Sequence, residues 1–345
     1  MVLANTGRDQ GVDLLRCVGL VLVVLAHVGP PAWLAQLRNF DVPLMVLVSG
    51  VSFGLSSRGE PYASYLWKRI NRLVAPVWIF LTGYFLVWWA FGNAASAPSA
   101  DLVFSSYLLL GGISYLWIIW VFLFVALVAP WVYRLNTRLP AHRQYLGLLL
   151  VAYIGYEFFL AVGQHYLQTV IGAFLNKTLF FLLPYTFLFG LALRMSRLCT
   201  AQLWALGGGA ALVFIVMGGA LYLQTGSFVP TQNFKYPPTA YYLSFALAVS
   251  VLLWALSARL VQWVGQAKLG ALVQFMAQNS IWVYLWHIPM LDLVSVRWYW
   301  FVKYPLVLGA SVMVTWVQVR WVEKWLLPRL EKPAKRKLLR TWLTG

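Results

Sequence analysis

The chain has 345 residues, of which 61% are hydrophobic and 10% charged, where an ordinary soluble domain carries roughly 25% charged residues. That balance excludes a soluble globular enzyme, and apolar runs long enough to cross a bilayer recur along the whole chain. A net charge of +17 would suggest nucleic acid in a soluble protein, but here the placement of the charges argues for membrane topology instead.

The expected fold is all-α, a polytopic bundle of about ten transmembrane helices with both termini cytoplasmic. The predicted spans are 11–29, 40–57, 73–92, 115–133, 145–162, 175–193, 202–223, 240–261, 279–299 and 303–326. The apolar stretch 102–113 is shorter and is expected to be interfacial or re-entrant, with an eleventh span as the alternative. With the N-terminus inside, 21 of the 26 Lys and Arg fall on the cytoplasmic side, and only Arg38, Lys177, Lys235, Arg297 and Lys303 fall outside. Residues 1–330 are taken as one transmembrane domain. Residues 331–345 form a basic cytoplasmic tail suited to anionic lipid. The first apolar run is a full span with no cleavage site after it, so no cleavable signal is expected. Cys17 lies within the first span and Cys199 on a cytoplasmic loop, and no Cys/His spacing resembles a zinc site.

Ionisable groups inside a membrane are costly and therefore point to function. The first span holds Asp13, Arg16 and His27. Arg16 and His27 are three turns plus ~20° apart, so they share one helix face, separated by ~16 Å along the axis. Arg16 would sit near the inner surface and His27 at or beyond mid-membrane. Asp13, one turn before Arg16, can pair with it. An anchoring arginine and a hydrogen-bonded buried histidine are the structural alternatives.

The second span, "FDVPLMVLVSGVSFGL", opens on Asp41 and contains the pair Ser49–Gly50, small residues that allow close helix approach and bending. The inner loop "SYLWKRINRL" follows. Its Lys68, Arg69 and Arg72 are placed to hold a phosphorylated donor, with Arg69 and Arg72 one turn apart and suited to bidentate phosphate binding. Glu157 is a buried acid in the fifth span without an assigned partner. His165 falls in an outer loop and is given no role. His287 lies in the ninth span beside Pro289, with Asp292 five residues on and able to pair with Arg297 at the outer surface. The outer loop "TGSFVPTQNFKYPPTAYYL" offers aromatic faces, amides and Lys235, with Tyr236 beside it. These suit a sugar bearing an acid group or a pyrophosphate link, and an interfacial aromatic belt is the alternative.

Four marks occur together: R-x10-H from Arg16 to His27, a second span containing Ser49–Gly50, the pair Arg69/Arg72, and the late "YLWHIP" from Tyr284 to Pro289. In this combination the chain resembles the acyltransferase-3 family of bacterial membrane acyltransferases over essentially its whole length. The "FKYPP" run resembles a segment found in part of that family. The resemblance implies an O-acyltransferase of the bacterial inner membrane. It would move an acetyl group from cytoplasmic acetyl-CoA to an extracytoplasmic or lipid-linked glycan, without a metal and without nucleic acid as partner. Many members carry a further extracytoplasmic esterase-like domain, and this chain is expected to be of the stand-alone type.

On that resemblance, Arg69, Arg72, Lys68, Arg16 and Ser49 would attend the donor. His27, His287, Arg16 and Asp13 would form the catalytic group, and Asp41, Lys235, Tyr236 and Glu157 would face the acceptor. His27 as general base and His27 as acyl carrier both remain open, as does a succinyl or other donor. A transporter or flippase of lipid-linked sugars is the alternative from a different class. Paired broken helices in inverted halves would favour it, and none is visible in the sequence.

Overall fold

The computed structural model describes residues 9–56, 60–92, 97–109, 112–163, 169–295 and 297–345. His165 lies outside them. Fifteen α-helices run through these residues: α1 Gln10–His27, α2 Ala32–Leu37, α3 Asp41–Ser56, α4 Tyr62–Phe91, α5 Ala100–Leu108, α6 Trp117–Arg138, α7 His142–Gly163, α8 Val170–Leu175, α9 Phe181–Met195, α10 Thr200–Thr225, α11 Ala240–Gln266, α12 Gly270–Gln278, α13 Ser280–Leu293, α14 Trp300–Trp321 and α15 Pro333–Thr344. Among the described residues, nine helical segments are long and apolar enough to cross a membrane. The protein is an all-α, multi-pass membrane protein.

Nine of the ten predicted spans coincide with these segments, and two boundaries differ for a physical reason. The third span starts far earlier than residue 73. Pro61 caps a helix whose first turns carry Lys68, Arg69 and Arg72, so these cations lie on α4 and not in a loop. Their polarity hid the helix from a hydropathy reading. The predicted span 279–299 is instead the 14-residue α13. At 1.5 Å per residue α13 covers ~21 Å, short of a ~30 Å hydrocarbon core. Asn279 breaks the chain from α12, and Val294 turns extended after Leu293. The stretch around 102–113 supplies the nine-residue α5.

The chain divides into two compact units. The first comprises residues up to Leu22, Pro31–Arg58 and Val128–Ala277. Within it α3 packs on α9, α10 on α11, and α11 on α3. Small residues set the closest approaches. A Cβ on Gly50 would stand 2.6 Å from the Ala192 Cβ and 2.7 Å from the Phe189 carbonyl oxygen, both on the α9 backbone or next to it. Neither can yield without moving α9. Gly50→Ala should therefore cost about 1–3 kcal/mol of stability, read as a lower thermal midpoint of the detergent-solubilised protein. An unchanged midpoint would mean that α3 and α9 are not held this tightly. Along α10, Gly207 and Gly218 face Val251 and Tyr241 of α11, while Leu212, Ile215 and Val216 stay exposed, as suits a lipid-facing helix.

The second unit comprises Val23–Pro30, Gly59–Leu127 and Gln278–Gly345. Within it α13 packs on α4 and α14, and α15 packs on α4. The basic tail is thus a docked helix. Trp342 Nε1 donates to Asn71 Oδ1 at 2.9 Å, Trp282 Nε1 donates to the Trp342 carbonyl at 3.1 Å, and Gln318 Nε2 donates to the Leu343 carbonyl at 2.7 Å. Lys335, Arg336 and Lys337 remain exposed on it.

Candidate active site

In the second unit, two histidines 260 residues apart in sequence meet. His27 is the last residue of α1, which stops because Gly29 adopts the left-handed conformation (φ 72°) and Pro30 follows. His27 Nδ1 lies 2.9 Å from His287 Nε2, and the rings stack with centroids 5.0 Å apart and planes 19° apart. His287 is fully buried on α13. Its Nδ1 contacts the carbonyl of Tyr284, one turn earlier on the same helix.

A carbonyl can only accept, so His287 carries its proton on Nδ1 and presents the Nε2 lone pair to His27. His27 must then donate from Nδ1. The lone pair of neutral His27 is left on Nε2, the ring nitrogen outside the pair. Two neighbours fix this arrangement. Tyr115 packs edge-on against His27 at 4.5 Å, and the Tyr284 hydroxyl bonds the Tyr115 carbonyl, tying α13 to the turn that precedes α6. Asp292 accepts from the Tyr84 hydroxyl at 2.9 Å, so its partner is on α4 instead of the expected Arg297.

The cations of α4 precede, along the helix, the residue that meets α13 beside this pair. Trp286, next to His287, packs its ring against Phe80 of α4 at 5.9 Å. Arg72 and Arg69 precede Phe80 by eight and eleven residues, which places them ~12 and ~16 Å away along the helix. Arg69 stacks over the Tyr65 ring at 5.2 Å. Lys68 forms an exposed ion pair with Glu60.

Asp41, Lys235, Tyr236 and Glu157 fall in the first unit. Asp41, at the start of α3, bonds Arg38 Nη1 at 2.5 Å and lies 3.6 Å from Lys235 Nζ. Lys235 also donates to Asn39 Oδ1 at 3.3 Å. Asn39 and Gln36 in turn bond Thr231, which fastens the loop before α11 to the α2–α3 turn. Asp41 is 1% and Lys235 3% exposed. Burial holds the Lys235 pKa below the ordinary lysine value, against the opposing pull of Asp41. Tyr236, joined to Pro237 by a cis peptide, leaves half of its ring exposed, and its pKa is pushed up to about 12, first by desolvation of the hydroxyl end and then by Asp41.

A family model for an acyltransferase domain, acyltransferase-3, matches residues 9–320. The chain belongs to the acyltransferase-3 family. No match was found among curated proteins or among solved structures. The protein is therefore a membrane acyltransferase.

Several residues of this acyltransferase stand where sequence reasoning did not put them. Arg16 bonds Asp13 at 3.1 Å, as expected, but its second contact is Ser52 at 3.1 Å, one turn past Ser49. Glu157 accepts from Tyr153 at 2.5 Å and from the backbone N–H of Ala240, the first residue of α11. It thus caps a helix N-terminus, where a carboxylate is favourable. Neighbouring Tyr156 donates to the Pro238 carbonyl at 3.1 Å. Arg194 was not singled out from the sequence at all. It is 2% exposed and gathers the carbonyls of Asn136, Leu139 and Pro140 at the end of α6. Its guanidinium also bonds the Asn136 side chain and stacks on Tyr145 at 4.7 Å.

Proposed function

We propose that this acyltransferase moves an acetyl group from cytoplasmic acetyl-CoA to a hydroxyl of an extracytoplasmic or lipid-linked glycan in a bacterial inner membrane. The observation that carries the reading is the pairing of His27 Nδ1 with His287 Nε2, with the His287 proton committed to the Tyr284 carbonyl. It gives His27 one defined tautomer with its basic nitrogen on the other side of the ring.

His27 Nε2 takes the proton of the acceptor hydroxyl as that oxygen attacks the thioester carbonyl. The C–S bond then breaks, the ester forms, and the departing CoA sulfur receives the proton from His27. The imidazolium formed in between donates from Nδ1 to a neutral partner and sits at the C-terminal end of α1, and both features stabilise its charge. They favour the general base over the acyl carrier. His287 acts as a positioning residue, because its own proton faces a carbonyl that cannot pass it on.

Arg69 and Arg72 would hold the CoA phosphates on α4, with the ~12–16 Å to the level of the histidine pair bridged by the pantetheine arm. Arg69→Gln with Arg72→Gln should raise the Kd for CoA about tenfold or more while leaving the histidine pair intact. Equal CoA binding by wild type and double variant would remove these arginines from the donor site. The reaction itself is tested with labelled acetyl-CoA added to inside-out vesicles containing a glycan acceptor. Label in luminal glycan is expected with the wild type. Its absence with acetyl-CoA, but presence with succinyl-CoA, would change the acyl group. Absence with every acyl donor would overturn the reading in favour of glycan transport.

A further inference from the structure

The Arg38–Asp41–Lys235 cluster has one more cation than anion, and all three groups are buried. Around it lie buried polar atoms with no hydrogen-bond partner of normal geometry: Arg38 Nε, Gln36 Nε2, Tyr185 Oη and Tyr242 Oη. Gln36 spends its carbonyl oxygen on Thr231, so the orphaned atom is its amide nitrogen. The Tyr185 and Tyr242 hydroxyls are close enough to bond one another, which uses the proton of only one of them; both are within electrostatic reach of Asp41, and the Tyr242 ring lies 5.7 Å from Lys235 Nζ. Even with one tyrosine hydroxyl donating to the other, Arg38 Nε, Gln36 Nε2 and the second hydroxyl proton stay unused. A structural ion network of this cost ordinarily satisfies its own donors. Unused donors around a net positive charge are the complement of an acceptor-rich anion.

We propose that this cluster of the first unit binds a singly charged oxyanion carried by the sugar acceptor. The charge count selects the class. Two cations and one carboxylate leave a single positive charge, which matches a sugar carboxylate or a phosphodiester and is exceeded by a diphosphate. The aromatic rings of Tyr236 and Tyr242 beside Lys235 suit a sugar ring attached to that anion. As the acceptor end of acyl transfer, the assignment rests on the function proposed above. As an anion site it stands on the first unit alone.

The test is equilibrium binding to the full-length protein in lipid nanodiscs with no acyl donor present, so failure of transfer and failure of this site are read separately. The probes are glucuronate, a methyl-capped sugar phosphodiester and neutral glucose. Saturable binding of at least one anion is expected, with glucose inert, and the two anions distinguish an acidic sugar from a phosphate-linked one. Tyr242→Phe should weaken that binding about tenfold. It should leave the thermal midpoint close to that of the wild type, because the only protein neighbour the hydroxyl can bond is Tyr185. Lys235→Gln should abolish binding if it folds. The proposal fails if neither anion binds the wild type. It fails equally if Tyr242→Phe binds the anion as the wild type does.

Discussion

His27→Ala is expected to reduce acetyl transfer by about 10²–10⁴-fold, the usual weight of a positioned general base, while CoA binding stays within twofold of wild type. The split follows from the distance between the histidine pair and the α4 arginines. The companion variants at His287 separate a positioning role from a structural one. His287→Leu removes the acceptor that fixes the His27 tautomer, so kcat should fall about 10–100-fold with little change in KM, and the pH profile of kcat should shift. His287→Gln keeps an oxygen acceptor near the Nε2 position and should restore part of that loss. If His287→Leu matched wild type in kcat and in pH profile, the tautomer argument would be wrong. Full activity in His27→Ala would remove the site altogether.

The largest expected loss of stability is at Arg194. In Arg194→Met the carbonyls of Asn136, Leu139 and Pro140 lose the buried guanidinium that serves as their common donor. Charge-assisted bonds of this kind contribute about 1.5–3 kcal/mol each, and their loss is only partly additive, so about 3 kcal/mol or more is expected. Arg194→Lys keeps the charge, which suits the negative end of α6, but loses the planar fork and the stack on Tyr145. It should fall between wild type and Arg194→Met. Thermal unfolding in detergent reads both, and activity per folded molecule should stay near wild type. An equal midpoint for all three proteins would show that the cage does not hold the α6–α7 turn.

The spans were legible because a bilayer demands about twenty apolar residues in a row, and Val, Leu and Phe supply them here in unbroken blocks. The family marks from Arg16 to His27, at Ser49–Gly50 and at Tyr284 to Pro289 were legible too, because they are short and local. What escaped depends on distance in sequence or on polarity within a helix. Nothing near Lys68 announces that α4 has already begun, since exposed cations on a helix face look like a loop to a hydropathy window. Ser52 and Ser49 differ by one turn, and only the packing of α3 decides which of them reaches Arg16. The partners of Lys235 are fixed by a turn almost 200 residues upstream. Arg194 looked like one more inner-surface cation until its carbonyl cage was seen. Glu157 could not be matched to the N-terminus of α11 before the two elements were brought together.

The histidine pair also has a consequence in time. Its members are separated by 260 residues of chain. At a synthesis rate of about 5–20 residues per second, His287 emerges on the order of tens of seconds after His27. During that interval the α1 histidine lacks the His287 acceptor that fixes its tautomer. A partly made acyltransferase already inserted in the membrane would therefore work at most at the reduced level expected of His287→Leu. The pair is complete only once α13 has been delivered, which ties the onset of full activity to the order in which the helices are made.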